Sequence, residues 1–213
     1  MSELTERRAE DKQRRRDQIL DAAVAAAIEH GLSNFSMGQV ARKARLSRAL
    51  LYVYFHDRQD ILMGLAERAH TMLAARFARI MAGNKSGLKK LQAVGRDYVE
   101  FAFEAPVYFE ALCAFAAHDP VNDEQRGNAL RCLESGDRIN QQIEQTLKEG
   151  MADGSLRKNL GSTTLVAVTL WGFVHGVVQV LTTRGAIMEF KGIKSAELVD
   201  QAMALCTRAL EKA

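Results

Sequence analysis

The sequence predicts an all-α fold of about nine helices. Apolar residues recur at the three- and four-residue spacing of amphipathic helices, and no segment alternates apolar and polar residues as a strand does. The chain of 213 residues contains only 2 Pro, so little interrupts its helices. Its 47% hydrophobic and 26% charged residues are ordinary for a globular protein, and the length allows one or two domains.

The first predicted helix runs from about Arg8 to His30 and ends at Gly31, a residue suited to the left-handed turn that closes many helices. Residues 1 to about 12 are polar, and we expect them to be loose. The basic stretch from Arg7 to Arg16 leads into this helix. Two interpretations of it remain open: an arm that reaches the minor groove or the phosphates of DNA, and a solvated helix start.

Residues 36–58, SMGQVARKARLSRALLYVYFHDR, predict two short helices joined by a tight turn and followed at once by a third helix. Ser36 and Gln39 have the three-residue spacing of a capping box, which begins a helix. After the turn at residues 45–47, Ser47 is expected to cap the second helix and Asp57 the third.

This arrangement is the helix-turn-helix layout, whose second helix lies in the major groove of DNA. Arginine pairs bidentately with guanine, whereas tyrosine hydroxyls and backbone N–H groups at helix caps suit phosphates. The residues predicted to contact DNA are Ser36, Arg45, Ser47, Arg48, Ala49, Leu50, Tyr52, Val53, Tyr54 and Arg58. Arg48 is assigned to base readout and Arg58 to a phosphate.

The charge distribution agrees with this assignment. Residues 1–58 hold 11 basic and 8 acidic side chains, and the remaining residues hold 18 of each, so the whole net charge of +3 lies in the first part. A positive excess on the helix-turn-helix part is the expected footprint of a DNA-binding protein.

The segment resembles the DNA-binding region of the TetR family of bacterial repressors. The matching residues are Ser36, Val40, Ala41, Ala44, Leu46, Ser47, Leu51, Tyr52, Tyr54, Phe55, Arg58, Ile61 and Leu62. The family usually has glycine at the position of Arg45, and often at that of Ala49. A left-handed Arg45 costs roughly 1 kcal/mol relative to glycine, and the methyl group of Ala49 can alter base preference.

The resemblance implies a ligand-responsive transcriptional regulator, most often a repressor. As a homodimer it would bind double-stranded DNA at a palindromic operator, and a small-molecule effector would shift the spacing of the two recognition helices. It also implies two domains: a DNA-binding domain at residues 1–58 and a ligand-sensing and dimerisation domain at residues 59–213.

In the second part, a long helix from Asp57 to about Met81 precedes a glycine-containing boundary at residues 83–87. Pro106 ends one predicted helix and begins another, which is expected to finish near residues 118–120. Trp171 followed by His175-Gly176, with a Pro-x-Tyr upstream, resembles the WHG type of TetR C-terminal domain. The candidate effector-pocket residues are Tyr98, Phe101, Phe109, Phe115, Trp171 and His175. They indicate an apolar or aromatic ligand, although each of them also suits ordinary core packing.

The stretch from Leu160 to Thr183 has no charged residue over 24 positions. This length would span a bilayer, but the stretch contains a histidine, a glutamine and several hydroxyl side chains and has no aromatic belt. We expect a helix inside an oligomer interface and no membrane contact. The predicted dimer-interface residues are Trp171, Gly172, Gly176, Val180, Leu198, Ala202, Leu205 and Ala209.

Other classes of function have less support in the sequence. The 3 cysteines are widely spaced in apolar helices and the 5 histidines are scattered, so we expect reduced thiols, no metal site and no cofactor. No nucleophile motif or phosphate-binding glycine loop is present. The N-terminus lacks an apolar signal core, so a cytoplasmic protein is expected. The alternatives are an all-α enzyme or carrier with a coincidental helix-turn-helix, and a regulator controlled by a protein partner.

Overall fold

A computed structural model describes residues 3–116 and 126–212. Within those ranges the chain is helical, and an isolated bridge between Leu156 and Glu211 is its one extended pairing. The ten helices are α1 Glu3–His30, α2 Met37–Lys43, α3 Arg48–Tyr54, α4 Arg58–Met81, α5 Gly87–Glu104, α6 Pro106–Ala116, α7 Arg126–Ala152, α8 Thr163–Thr183, α9 Gly185–Phe190 and α10 Ser195–Leu210. The all-α prediction is confirmed.

The helices group into two compact units. The first consists of Met1–Ala69 and Pro106–Glu134, and the second of His70–Ala105 and Ser135–Ala213. The division falls inside α4 and α7, so the first unit contains α6 and the start of α7 in addition to the helix-turn-helix. A boundary after residue 58 stays a prediction about which part folds independently.

The N-terminal helix is longer than the sequence suggested. Helix α1 begins at Glu3, so the expectation that residues 1 to about 12 are loose is wrong for the described part. The residues involved are mostly Glu, Arg, Lys and Ala, which favour helix without burial. Gly31 ends α1 with φ 84°, as predicted. The expected end of α6 near residues 118–120 lies outside the described residues.

The core of the first unit joins α1 to the helix-turn-helix and α4. Its fully buried side chains include Ile19 of α1, Phe35 before α2, Leu51 of α3 and Ile61 of α4. Phe55, which follows α3, is also fully buried. The short helices α2 and α3 are too short to be stable alone, and this shared core fixes their positions.

The core of the second unit lies among α5, α7, α8 and α10, at Leu91, Leu147, Leu156, Ala167 and Leu210. Close approach of α5 to α7 depends on two glycines, because a Cβ on Gly87 would lie 2.3 Å from the Cα of Gly150. Helix α9 was not predicted, because its six residues are too few for a periodic pattern.

Candidate DNA-binding surface and sensor cluster

Helix α2 begins with the predicted capping box. The Ser36 hydroxyl accepts the Gln39 N–H at 3.3 Å, and the Gln39 side-chain oxygen accepts the Ser36 N–H at 2.7 Å. Phe35 and Val40, which flank the cap, are both buried. The cap and its apolar neighbours therefore fix where the chain enters the helix-turn-helix.

The turn between α2 and α3 closes α2 with a Schellman motif. The Leu46 N–H donates to the Ala41 carbonyl at 2.9 Å, and the Arg45 N–H donates to the Arg42 carbonyl at 3.1 Å. Arg45 has φ 55° and is the one non-glycine residue with positive φ in the described part of the chain. The left-handed conformation expected for Arg45 is confirmed, and its side chain is exposed.

Helix α3 presents one face to solvent and one to the core. Its cap is as predicted, because Ser47 Oγ accepts the Leu50 N–H at 3.2 Å. Leu51 and Phe55 are fully buried, whereas Tyr52 is 52% and Val53 73% exposed. Arg48, Ala49 and Leu50 are exposed and Tyr54 is half-buried. The residues predicted to contact DNA on α3 thus lie on its accessible face, and the DNA contacts themselves stay a prediction.

Arg48 lies across the surface of α2. A Cβ built on Gly38 would be 2.7 Å from Arg48 Nη2, so a larger residue there would force this flexible guanidinium to move. A role for Gly38 was not predicted from the sequence. Its place in the first turn after a cap was the available signal, because glycine is unfavourable within helices and needs a packing reason.

Arg58 makes contacts within the first unit that the sequence did not predict. Its Nη1 donates to the carbonyl of Leu32 at 3.2 Å and to that of Ser33, and the guanidinium lies 6.0 Å from the centre of the Phe35 ring. Arg58 is therefore engaged by the loop that precedes α2. The phosphate contact assigned to it stays a prediction, and it would have to share the guanidinium with these carbonyls.

A buried polar cluster underlies the helix-turn-helix. Arg16 Nη2 lies 2.5 Å from Glu67 Oε2 and donates to Asn128 Oδ1 at 3.0 Å. Asn128 in turn donates to Asp60, whose other oxygen accepts the His56 N–H at 2.9 Å. The Arg16 guanidinium also lies 4.9 Å from the centre of the Phe55 ring. The cluster therefore joins α1, the exit of α3, α4 and the start of α7.

A second set of ion pairs also joins α1 and α4, but here the arginine is on α4 and the acidic residues are on α1. Arg68 of α4 donates to Asp17 at 2.8 Å and to Asp21 at 2.5 Å, both on α1. It also donates to the Tyr108 hydroxyl of α6 at 3.4 Å. The hydrogen bonds to Tyr108, Asp17 and Asp21 outweigh burial and raise the pKa of Arg68. Arg16 of α1 pairs with Glu67 of α4, and Arg68 of α4 pairs with Asp17 of α1, so each helix donates one arginine to an ion pair with the other.

In the second unit the structure brings together three of the predicted pocket residues. The Tyr98 hydroxyl of α5 and Nδ1 of His175 in α8 share a hydrogen bond of 2.8 Å. The Trp171 ring lies 5.3 Å from the His175 ring, centre to centre, and is 47% exposed. Burial lowers the pKa of His175, which favours the neutral imidazole at pH 7.

The other predicted pocket residues have different surroundings. Phe101 is fully buried, with the Arg76 guanidinium 5.9 Å from its ring centre. Phe109 and Phe115 belong to the first unit. A cleft of about 370 Å³ in the second unit lies between α5 and α10, and none of the predicted pocket residues lines it. Its lining residues are Gln92, Arg96, Asp200, Met203, Ala204, Thr207 and Arg208.

Helix α8 has one face in the core and one in solvent. Ala167, Val174 and Val178 are buried, whereas Leu165 is 70% exposed. The exposed or half-exposed members of the predicted dimer interface are Trp171, Gly172, Gly176, Val180, Leu198, Leu205 and Ala209. Ala202 is buried within the unit itself. In the described part of the chain, α8 is the one helix long and apolar enough to cross a membrane, by length and composition alone.

The first unit is thus a helix-turn-helix DNA-binding fold supported by α1 and α4. Comparison with known proteins agrees. A family model described as bacterial regulatory proteins, tetR family, matches residues 19–64. A second, described as tetracyclin repressor-like, C-terminal domain, matches residues 91–206, more than half of the chain. The chain belongs to the TetR family and is a DNA-binding transcriptional regulator.

Individual relatives are similar over most of their length. The HTH-type transcriptional regulator SrpR of Pseudomonas putida is 25% identical over 188 residues, 82% of this chain and 78% of SrpR. A structure of a protein with unknown function from Rhodococcus sp. RHA1 superposes with a TM-score of 0.73 at 22% identity, covering 93% of this chain and 95% of that one. The regulator FadR from Bacillus subtilis, in complex with stearoyl-CoA, gives 0.66 at 19% identity over 90% and 97%.

Proposed function

We propose that this regulator is a ligand-responsive repressor, which binds a palindromic operator as a homodimer and releases it when a small apolar or aromatic molecule binds the second unit. The observation that carries the DNA part is the exposed face of α3, capped at its start by Ser47 and led by Arg48. A cytoplasmic location, where the operator is, follows from this role. In the residues that the structure describes, no metal-binding group of His, Cys, Asp or Glu side chains supports an enzymatic role.

The first experiment measures which DNA the protein reads and by which residue. Duplexes selected in vitro from a random pool define the operator, and Arg48→Ala is then titrated against operator and random DNA. Loss of one bidentate base contact should weaken operator binding about 5- to 150-fold for each half-site, equivalent to about 1–3 kcal/mol, and relax preference at one base pair of each half-site. Arg79→Ala, which removes an exposed arginine from α4, is the matched control.

The outcome separates base readout from charge. If Arg48→Ala weakens operator and random DNA by the same factor, Arg48 contacts phosphate and the assignment to base readout is wrong. If Arg79→Ala weakens binding as much as Arg48→Ala, the effect is net charge alone.

The effector proposal rests on the cluster of Tyr98, Trp171 and His175. It joins aromatic surface to one buried hydrogen-bonded pair, a combination typical of sites for apolar ligands with few polar contacts. The structurally similar FadR, which binds stearoyl-CoA, supports a long apolar ligand as the first class to test.

Tryptophan fluorescence can test the effector directly, because Trp171 is the only tryptophan in the chain. Titration with acyl-CoA thioesters of increasing chain length should change its emission at concentrations that also release the operator. Tyr98→Phe removes the hydroxyl that His175 contacts and should shift both titrations together. Release of operator without any change in emission would place the effector away from this cluster.

The dimer proposal rests on the exposed apolar face of α8. A leucine at Gly172 would find no described atom within 4 Å of its Cβ, so Gly172→Leu fits one chain but obstructs the close approach of a second. Gly127→Leu, at a helical glycine with equally open surroundings, is the control. Sedimentation should show dissociation for the first variant only. A dimer that is unaffected by Gly172→Leu would assign dimerisation to another surface.

A further inference from the structure

Helix α1 extends well beyond the part that packs in the first unit. Its buried residues begin at Arg16, and the side chains from Thr5 to Arg14 are all exposed. Residues 3–15 continue the helix for 13 positions, about 20 Å at 1.5 Å per residue. Burial does not hold this segment in place, so the arrangement of its charges is the main clue to a role.

Basic and acidic side chains lie mostly on different faces of this extension. Arg8, Lys12 and Arg15 follow the spacing i, i+4, i+7, and four positions later Ile19 continues the same stripe into the core. Glu6 and Glu10 lie on a second stripe, which continues to Asp17, where Arg68 binds. A third stripe between these two holds Arg7, Asp11 and Arg14, and Arg14 Nη2 lies 2.6 Å from Asp11 Oδ1.

The C-terminal end of this extension lies beside the turn of the helix-turn-helix. Arg15 donates to the side-chain oxygen of Gln18 at 2.7 Å, and Gln18 donates to the carbonyl of Ala44 at 2.7 Å. Ala44 is the C-cap of α2 and directly precedes the left-handed Arg45. The basic stripe is therefore continuous, through Gln18, with the surface that holds the recognition helix.

We propose that the basic stripe Arg8–Lys12–Arg15 is a second DNA-binding element, which binds the phosphates that flank the operator half-site. This inference rests on the proposed operator binding by α3. Charge complementarity identifies the partner, because an exposed helix with one basic face and one acidic face can approach a polyanion only in one orientation. A helix of this length spans about six base pairs at 3.4 Å each.

The test compares two matched double variants on two duplexes. Arg8→Gln with Lys12→Gln removes two bases, and Glu6→Gln with Glu10→Gln removes two acids from the opposite face. One duplex ends at the outermost base of the selected operator, and the other carries ten further base pairs on each side. The operator dissociation constant is measured from 50 to 200 mM salt.

We expect the basic double variant to lower the salt slope by about 1.8 per protomer on the long duplex, from about 0.9 for each lost phosphate contact. For the homodimer, which loses four contacts, the slope should fall by about 3.6, and this corresponds to about a 150-fold smaller salt effect between 50 and 200 mM. On the short duplex the slope should stay at the wild-type value. The acidic double variant should leave the slope unchanged on both duplexes.

Three results would overturn the proposal. One is an unchanged slope on the long duplex, and another is an equal change on both duplexes. The third is a pair of equal and opposite shifts from the two double variants, because that is the signature of net charge. If the wild-type protein selects no operator at all, the proposed function fails instead, and the two failures are therefore distinguishable.

Discussion

The left-handed Arg45 makes the stability of the helix-turn-helix directly testable. At φ 55°, the Cβ of any L-residue crowds its own backbone, and glycine does not. Arg45→Gly should therefore stabilise the protein, even though it removes a long side chain and a charge from the proposed DNA surface. Arg45→Ala is the matched control, because it removes the same side chain and keeps the Cβ.

The expected size follows from two opposing terms. Relief of the left-handed conformation stabilises the folded state by about 1–2 kcal/mol. Glycine also has more freedom in the unfolded chain than alanine, which offsets about 0.4–1 kcal/mol of that gain. The glycine variant should thus be more stable than the alanine variant by about 1 kcal/mol, or about 2–4 °C in Tm for a chain of this size.

Urea unfolding at one fixed protein concentration measures this difference, because the stability of an oligomer depends on concentration. The midpoint should rise from the alanine to the glycine variant with an unchanged m-value. Equal midpoints would refute the strain argument. In operator titrations the two variants should bind alike, so a difference there would show that backbone geometry, not the lost side chain, sets DNA affinity.

Three further predictions concern buried groups. Arg16→Ala removes the buried guanidinium that pairs with the half-buried carboxylate of Glu67, which keeps Arg131 at 3.6 Å, and should cost up to about 3 kcal/mol in urea unfolding; a cost below about 1 kcal/mol would contradict the role of the cluster. Burial lowers the folded-state pKa of His175, so below about pH 6.5 the unfolded chain binds more protons than the folded chain. The free energy of unfolding should therefore decrease as the pH is lowered through this range. His175→Gln should flatten that fall, and an unchanged pH profile would assign it to other groups. Burial and, to a smaller extent, the negative charge of Glu67 raise the pKa of the Cys132 thiol to about 12. A thiol reagent at pH 8 should therefore modify Cys132 only after denaturation, and mass spectrometry of the labelled peptides can show this.

Local signals made most of the recognition unit predictable. Each cap joins a side chain to a backbone N–H three residues away, so Ser36 with Gln39 and Ser47 with Leu50 can be recognised in the sequence. The left-handed Arg45 was expected from the resemblance instead, because the family usually has glycine at that position. Prediction succeeded where both partners lie within one helical turn of each other.

Tertiary partners were not predictable from the same information. Arg16 and Asn128 are separated by 112 positions, and the sequence contains no local sign that they bond. One weak signal existed, since Arg16 falls on the apolar stripe that includes Ile19 and Ala23, where a charge needs a buried partner. The start of α1 was predicted wrongly for a different reason. Helix propensity alone maintains this segment, and it has no apolar stripe from which a helix could be predicted.

Arg58 and Asp60 show how the first turn of α4 governs the recognition unit. Arg58 donates to the carbonyls of the loop before α2, and Asp60 accepts the N–H of His56, just after α3. The start of α4 is therefore bonded to both ends of the helix-turn-helix. A displacement of this turn would carry α2 and α3 together as one body, because both attachments are to backbone groups. If the proposed effector displaces this turn, we expect the angle of α3 to the DNA to change while the turn at Arg45 keeps its geometry, and the proposed release of the operator would then need no unfolding of the recognition unit.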